Sequence, residues 1–174
     1  MPKRDLAVFE NERVVLRLLE EQDLPLTLSW RNQDHIRQWF LRTEVILEKD
    51  HYAWFERYRE LDHDFIFLIL AKDLNRLPVG QISLYDINWD TASAEFGRLM
   101  IGHLPASGKG YAKQAVNLVL MIGFEVLGLK EIHLEVKEDN LPAQKIYLDC
   151  GFVETSRQNR LVMMKIDVSA SARY

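Results

Sequence analysis

The chain predicts an α+β fold: one domain on a central mixed, mostly antiparallel sheet of seven strands, flanked by about four helices. Three observations carry this. Helix-period stretches with their caps fill much of residues 20–60. Strand runs separated by polar turns follow, up to residue 101. The last third alternates strand, helix, strand, helix before two closing strands. Antiparallel runs beside segregated helices are the α+β pattern; strict β-α alternation throughout would have indicated a doubly wound sheet.

The first strand is 14–18, Val-Val-Leu-Arg-Leu. Glu20 to Asp23 offer capping carboxylates, and 24–30 reads as a helix with Pro25 in its first turn, where a missing N–H costs nothing. A second short helix is expected at 34–39 and a longer one at 48–60, on which Tyr52, Phe55 and Arg59 share a face and Trp54 and Tyr58 the adjacent one. The continuous apolar run 65–71 reads as a buried strand, turning through 73–76 into the strand 79–85. A turn at 88–90 leads into the strand 94–101. The order is then helix 111–127, strand 131–136, helix 142–149, and strands 152–155 and 161–165, with 168–174 a flexible tail of the single domain 1–174.

Composition narrows the partners. A net charge of −4 argues against bulk attraction to nucleic acid or an anionic membrane. No apolar run reaches membrane-span length. One cysteine, Cys150, rules out an intramolecular disulfide and suits a reducing, cytoplasmic compartment. It reads as a small buried residue rather than a reactive thiol. The five histidines show no metal-ligand spacing, so no metal is expected. Monomer and homodimer are equally compatible with the sequence.

The most informative run is Ser107-Gly108-Lys109-Gly110-Tyr111-Ala112, between a strand and a helix whose Ala115, Val116, Val119 and Leu120 mark a buried face. A Gly-rich turn there directs backbone N–H groups without intrahelical partners at whatever lies above the helix start. The helix dipole adds positive charge, making an anion site. It is neither a P-loop nor a G-x-G-x-x-G dinucleotide turn. A second run follows the next strand: Asn140-Leu141-Pro142-Ala143-Gln144-Lys145-Ile146-Tyr147, closing on Gly151-Phe152. Asn140 suits an N-cap, Pro142 the first turn and Gly151 the helix stop.

Strand–G-x-G–helix followed by strand–N-x-x-A-x-x-x-Y-x-x-x-G-F resembles the GNAT superfamily of acetyl-CoA-dependent N-acetyltransferases, over nearly the whole chain. The resemblance implies a sheet split between its fourth and fifth strands, with acetyl-CoA wedged in the split, and direct acetyl transfer to a primary amine in a ternary complex. Such transfer needs a deprotonated amine, a polarised thioester carbonyl and a proton for the leaving thiolate, but no covalent nucleophile. By resemblance, Ser107, Gly108, Lys109, Gly110, Tyr111 and Ala112 form the pyrophosphate cradle, and Leu99, Met100 and Ile101 are the strand that pairs with the pantetheine arm. Asn140, Ala143 and Lys145 bind the cofactor from the second motif. Tyr147 matches the tyrosine that protonates the thiolate, and Glu135, in Leu-Glu-Val, matches a proposed base; Glu95 is the second candidate. Where the family pattern has Gln or Arg, this chain has Ser107, which removes one long side chain from the cradle.

The acceptor side is expected on the N-terminal helices, through Arg31, Arg37 and Trp39, with Glu95 opposite. Guanidinium groups grip phosphate and aromatics stack on bases. Residues 29–40 resemble two subgroups: the ribosomal-protein N-terminal acetyltransferases, and the pseudaminic-acid-pathway enzymes that acetylate a nucleotide-linked 4-amino sugar. The latter acceptor is the expectation. A protein N-terminus, an aminoglycoside, or a non-catalytic acyl-CoA-binding module are the alternatives.

Overall fold

The computed structural model describes residues 6–171. Its strands are β1 (Phe9–Glu10), β2 (Val14–Leu18), β3 (Phe65–Ala71), β4 (Leu77–Asn88), β5 (Ser93–Ile101), β6 (Glu131–Lys137), β7 (Val153–Gln158) and β8 (Leu161–Asp167). They form one sheet in the order β1-β2-β3-β4-β5-β6-β8-β7, and only β5 and β6 pair in parallel. The expected count of seven is corrected to eight. The extra strand, β1, is too short to show a period, yet it pairs Phe9 with Leu16 and Glu10 with Val15.

Four longer helices flank the sheet: α1 (Leu24–Arg31), α3 (Glu48–Tyr58), α4 (Tyr111–Met121) and α5 (Leu141–Asp149). Two four-residue helices, α2 (Asp34–Arg37) and α6 (Val168–Ser171), complete the set. The described part of the expected tail is therefore helical; 172–174 lie outside the described residues. The carboxylates before α1 cap the 3-10 turn Glu21–Asp23 instead of α1 itself: Asp23 accepts from the Glu20 N–H at 2.9 Å and from Arg17 at 2.7 Å and, among the described residues, makes no side-chain bond into α1.

Sequence alternation explains how each face is filled. Val14, Leu16, Phe65, Phe67, Phe96 and Leu134 point to the side covered by α4 and α5. Val15, Ile66 and Leu68 point to the other side, where α1 and α3 contribute Leu24, Trp30, Phe55 and Tyr58. With helices on both faces, β3 has no polar side and all seven of its residues are buried. Helix α4 does not run on as α-helix to 127: residues 122–126 form a π-helical turn. Gly123 lies in it, and a Cβ there would come within 2.7 Å of Ile132 Cδ1, so glycine permits the close approach to β6.

Two irregularities shape the centre. β5 and β6 pair only through Ser93–Glu131, Ala94–Ile132 and Glu95–His133, then part. This is the split that the resemblance implied, between the strands 94–101 and 131–136. Within β5, the register against β4 slips between Gly97 and Met100, and Arg98 takes φ 52°. That bulge reverses the facing of the strand's end. Met100 packs with the α1–α3 core, whereas Leu99 and Ile101 pack toward α4.

Candidate active site

A single cavity of about 1210 Å³ follows the split from the start of α4 to the α1–α3 side. At one end it is lined by Leu99, Met100, Ile101, Ser107 and Ala112. Asn140, Ala143 and Tyr147 of α5 form one wall. The spacing explains that wall, because positions 140, 143 and 147 lie on one helix face.

The turn before α4 is built to present N–H groups. Gly108 (φ 70°) and Gly110 (φ 87°) are both left-handed, a conformation that favours glycine. Among the described residues, the N–H groups of Gly110, Tyr111, Ala112 and Lys113 find no backbone acceptor; the first helical bond is Gln114 N–H to the Gly110 carbonyl at 3.3 Å. Such a cradle fits a pyrophosphate. The long side chains expected there go elsewhere. The Tyr111 hydroxyl donates to Asp73 at 2.7 Å, on the far side of the turn. Lys113 pairs with Asp149 at 3.6 Å, and Lys145 pairs with the same carboxylate at 3.2 Å. Lys145 is thus exposed and off the cavity, against the expectation of a cofactor contact. Of the residues expected in the cradle, Gly110, Tyr111 and Ala112 leave their backbone N–H groups without a backbone acceptor among the described residues, whereas the Lys109 N–H donates to the Ala106 carbonyl at 3.3 Å.

Asn140 caps α5 by accepting from the Ala143 N–H at 3.3 Å, which leaves its NH₂ group as a donor. Tyr147 is buried on the α4–α5 side, edge-on to Phe96 (5.4 Å between ring centres) and Phe152 (5.9 Å). Burial pushes its hydroxyl well above the ordinary tyrosine range, so it stays protonated. Cys150, two residues before Phe152, is fully buried, and burial pushes its thiol up to about 11.

On the opposite face the cavity is lined by Tyr85, Glu95 and Glu135. Alternation along β6 puts Glu135 with His133 and Lys137, away from Leu134 and Val136. Tyr85 and Glu95 are register partners across β4 and β5, and the tyrosine hydroxyl donates to the carboxylate. Gly97 makes room: a Cβ there would lie 3.1 Å from the Tyr85 ring and hydroxyl. Arg98 stacks over that ring at 4.2 Å and grips Asp64 through both oxygens, at 2.7 and 3.0 Å. Sequence reasoning missed Tyr85, Arg98 and Asp64. Regular alternation would have pointed Arg98 to the other face, and only the bulge reverses it.

The outer wall comes from α1, the 38–47 segment and α3. Arg31 stacks on Phe40 at 4.0 Å and donates to the Arg42 carbonyl at 2.5 Å. Its other terminal nitrogen is buried without a partner among the described residues. Arg31, Trp39 and Glu95 line the cavity as expected. Arg37 does not. It pairs with Asp34 at 2.8 Å and donates to the Thr43 carbonyl at 2.6 Å, so it holds the segment together. Trp54 and Arg57 of α3 take its place on the wall. Their i, i+3 spacing was readable as a shared face, but not as one turned to a cavity. His133 lies outside this cavity, in a small hollow over β6 and β8 with Thr155 and Met163. Among the described residues no cluster of three or more His, Cys, Asp and Glu is arranged to hold a metal, and no helix is long and apolar enough to cross a membrane.

A split sheet with free backbone N–H groups at one end, and with a tyrosine hydroxyl and two carboxylates on opposite faces of one cavity, is a frame suited to an acyltransferase working from a thioester on a phosphorylated arm. Residues 13–153 match the model of the acetyltransferase (GNAT) domain, and the chain belongs to this family of N-acetyltransferases, with acetyl-CoA as co-substrate. It is similar to the spermidine N(1)-acetyltransferase of Vibrio cholerae, with 30% identity over 150 residues, 83% of this chain and 81% of that protein. The structure of that spermidine N-acetyltransferase with CoA and spermine superimposes with a TM-score of 0.84 at 26% identity, covering 92% of this chain and 99% of the other; a dodecameric structure of it is also known. An uncharacterized protein of Methanocaldococcus jannaschii is 28% identical over 151 residues, 86% of this chain, which spans only 30% of that protein's length. The fold is shared with a nucleotide-linked sugar GNAT, at a TM-score of 0.83 and 23% identity, covering 95% of this chain and 92% of that one.

Proposed function

We propose that the chain acetylates the primary amine of a nucleotide-linked amino sugar, entering from the α1–α3 side. The observation that carries this is the acceptor wall. Arg31, Arg42 and Arg57 line the cavity and make no ion pair within 4.0 Å among the described residues, beside the aromatic surfaces of Trp39, Phe40 and Trp54. Arginines without carboxylate partners next to stacking surfaces suit a diphosphate joined to a base. A second reading, a polyamine acceptor, is favoured by Glu44, Asp50, Glu95 and Glu135 on the same cavity and by the likeness to the spermidine enzyme.

When bound, acetyl-CoA supplies a thioester acetyl group. The chain's own residues divide the remaining work by sheet face. The N–H groups of 110–113 hold the pyrophosphate, and the Asn140 NH₂ donates to the pantetheine arm. Backbone N–H groups of Met100 or Ile101, beside the split, stabilise negative charge on the carbonyl oxygen. On the acceptor face, Glu95, held by Tyr85, orients the amine, and Glu135, which makes no ion pair among the described residues, takes its proton toward water. On the α5 face Tyr147 gives a proton to the departing sulfur. A direct transfer needs base and acid on opposite sides of the reacting carbonyl, and the alternation of β5 and β6 supplies that arrangement.

The test is free-thiol release from acetyl-CoA with a panel of amines: a UDP-linked 4-amino-4,6-dideoxy sugar, spermidine, an aminoglycoside and a ribosomal N-terminal peptide. Turnover with the sugar nucleotide, suppressed by excess UDP, is expected. Turnover with spermidine alone establishes the second reading. Acetyl-CoA binding with silence across the panel leaves two readings, an acceptor outside the panel or a non-catalytic module.

A further inference from the structure

Ser107 leaves the turn before α4 without the long side chain of the family pattern, and Lys113 does not replace it. Lys113 is taken by Asp149. What does reach the turn comes from outside, from the β1–β2 hairpin. Arg13 Nη1 donates to the Lys109 carbonyl at 2.7 Å, and Nη2 pairs with Asp73 at 3.3 Å. The guanidinium lies 4.7 Å over the Tyr111 ring, whose hydroxyl donates to the same aspartate. One step along, Asn11 donates to both the backbone and the side-chain oxygen of Gln114, at 3.1 and 3.2 Å. A hairpin turn thus clamps the first turn of α4 at two points, on the side away from the cavity.

We propose that Arg13 is a positioning residue for the donor: by fixing the Lys109 carbonyl outward, it aims the Gly110 N–H inward at the pyrophosphate. The physical link is peptide planarity. The Lys109 carbonyl and the Gly110 N–H belong to one trans peptide unit and point in opposite directions. Anchoring one end of that plane on Arg13 sets the other. Without the anchor, a plane bounded on one side by left-handed Gly110 turns more easily, because glycine resists so little. Gly110 is also the residue that admits the brace, since a Cβ there would meet Arg13 Nη1 at 3.3 Å. The Asp73 carboxyl, held below its ordinary range by the Tyr111 hydroxyl first and Arg13 next, keeps the guanidinium in place.

This inference rests on the 108–113 turn being the pyrophosphate seat, and the experiment separates the two. Acetyl-CoA and S-acetylpantetheine, which lacks the pyrophosphate, are titrated calorimetrically into wild type, Arg13→Ala, Arg13→Lys and Asp73→Asn, with melting curves for each. In Arg13→Ala, affinity for acetyl-CoA falls about tenfold, the scale of one well-placed hydrogen bond to a charged group, while affinity for S-acetylpantetheine is unchanged. Arg13→Lys recovers part of the loss, and Asp73→Asn shows a smaller loss on acetyl-CoA alone. Unchanged acetyl-CoA affinity in Arg13→Ala, or an equal loss on both ligands, overturns the proposal. If wild type itself does not prefer acetyl-CoA, the seat is wrongly placed and the brace has no ligand to serve.

Discussion

The Tyr85 hydroxyl donates a hydrogen bond to the Glu95 carboxylate across the β4–β5 register, and Gly97 and Arg98 both pack on the Tyr85 ring. A carboxylate fixed this way cannot swing, so it can hold an incoming amine at one angle. Glu95→Gln keeps the shape and loses the charge. Steady-state rates at saturating acetyl-CoA are expected to show the acceptor KM raised about tenfold, with kcat changed much less. Tyr85→Phe follows the same direction with a smaller effect. The tyrosine reports the pairing directly. Burial raises its pKa first and Glu95 second, so Glu95→Gln should bring its titration to lower pH in ultraviolet difference spectra.

Tyr147 gives a different signature. In the proposed mechanism its hydroxyl protonates the departing sulfur, so Tyr147→Phe should lower kcat about a hundredfold while acetyl-CoA affinity, read by calorimetry, is retained. The pH sign follows from burial. A hydroxyl raised above the ordinary tyrosine value of about 10 remains protonated through neutral and mildly alkaline pH. Any loss of rate between pH 8 and 10 therefore belongs to another group. A basic limb in that range that disappears in Tyr147→Phe would count against this assignment.

The bulge in β5 is testable through stability. Arg98 holds φ 52° as a non-glycine residue, a conformation costing an ordinary side chain roughly 1–2 kcal/mol. Its fork on Asp64, which is only 8% exposed, offsets that. Asp64→Ala leaves the guanidinium with no counter-charge and should destabilise the fold by about 2 kcal/mol, discounted for the 29% exposure of Arg98. At position 98 the order is diagnostic. Arg98→Gly should unfold at higher denaturant than Arg98→Ala, because glycine accepts the left-handed backbone and alanine does not.

Most of the frame was legible because its signals are local. The run of seven apolar residues in β3, the glycines before α4 and the Asn140–Tyr147 spacing each dictate structure within one element. The split followed from the resemblance, and the structure places it between the same two strands. What sequence could not give depends on register or on distant partners. A one-residue slip in β5 turns Arg98 toward Asp64, 34 positions away. Arg37 looked like a ligand for phosphate, but its charge is spent on Asp34 and the Thr43 carbonyl. Arg13 lies in a turn with no motif, 96 residues from the Lys109 carbonyl it holds. The two-residue β1 and the π-helical turn after α4 likewise have no periodic signature.

The junction of α1 with β5 ties the acceptor wall to the frame. Trp30 is 4% exposed and packs directly on Gly102, where a Cβ would fall 2.0 Å from its Cγ and 2.1 Å from its Cδ2. An indole ring cannot yield by a simple rotation, so Gly102→Ala must push Trp30, and α1 with it, off the end of β5. Overpacking of this kind costs typically 1–3 kcal/mol. Arg31 follows Trp30 in the chain and carries the wall's stacking and its bond to the Arg42 carbonyl. The displaced helix should therefore raise the acceptor KM several-fold more than the acetyl-CoA KM, since the 108–113 turn and Gln114 after it are held by Arg13 and Asn11 of the β1–β2 hairpin. Trp30→Phe, combined with Gly102→Ala, gives back part of the space and should restore part of both stability and acceptor affinity.

Cys150 decides whether an acyl-enzyme contributes. A thiol three residues from Tyr147 invites a two-step, covalent route, but Cys150 does not line the cavity. It is fully buried at the end of α5 and its pKa is raised from 9.0 to about 11. The thiolate fraction at neutral pH is therefore about a hundredfold below that of an ordinary cysteine, before access is considered. Two measurements follow. Alkylation of the native protein by iodoacetamide at pH 8 should be at least about a hundredfold slower than in denaturant. Cys150→Ala should keep kcat within about threefold, with initial-rate lines that intersect when acetyl-CoA and amine are varied, as a ternary complex requires. Parallel lines, together with an acetylated Cys150 found by mass spectrometry in the absence of amine, would replace direct transfer by a ping-pong route.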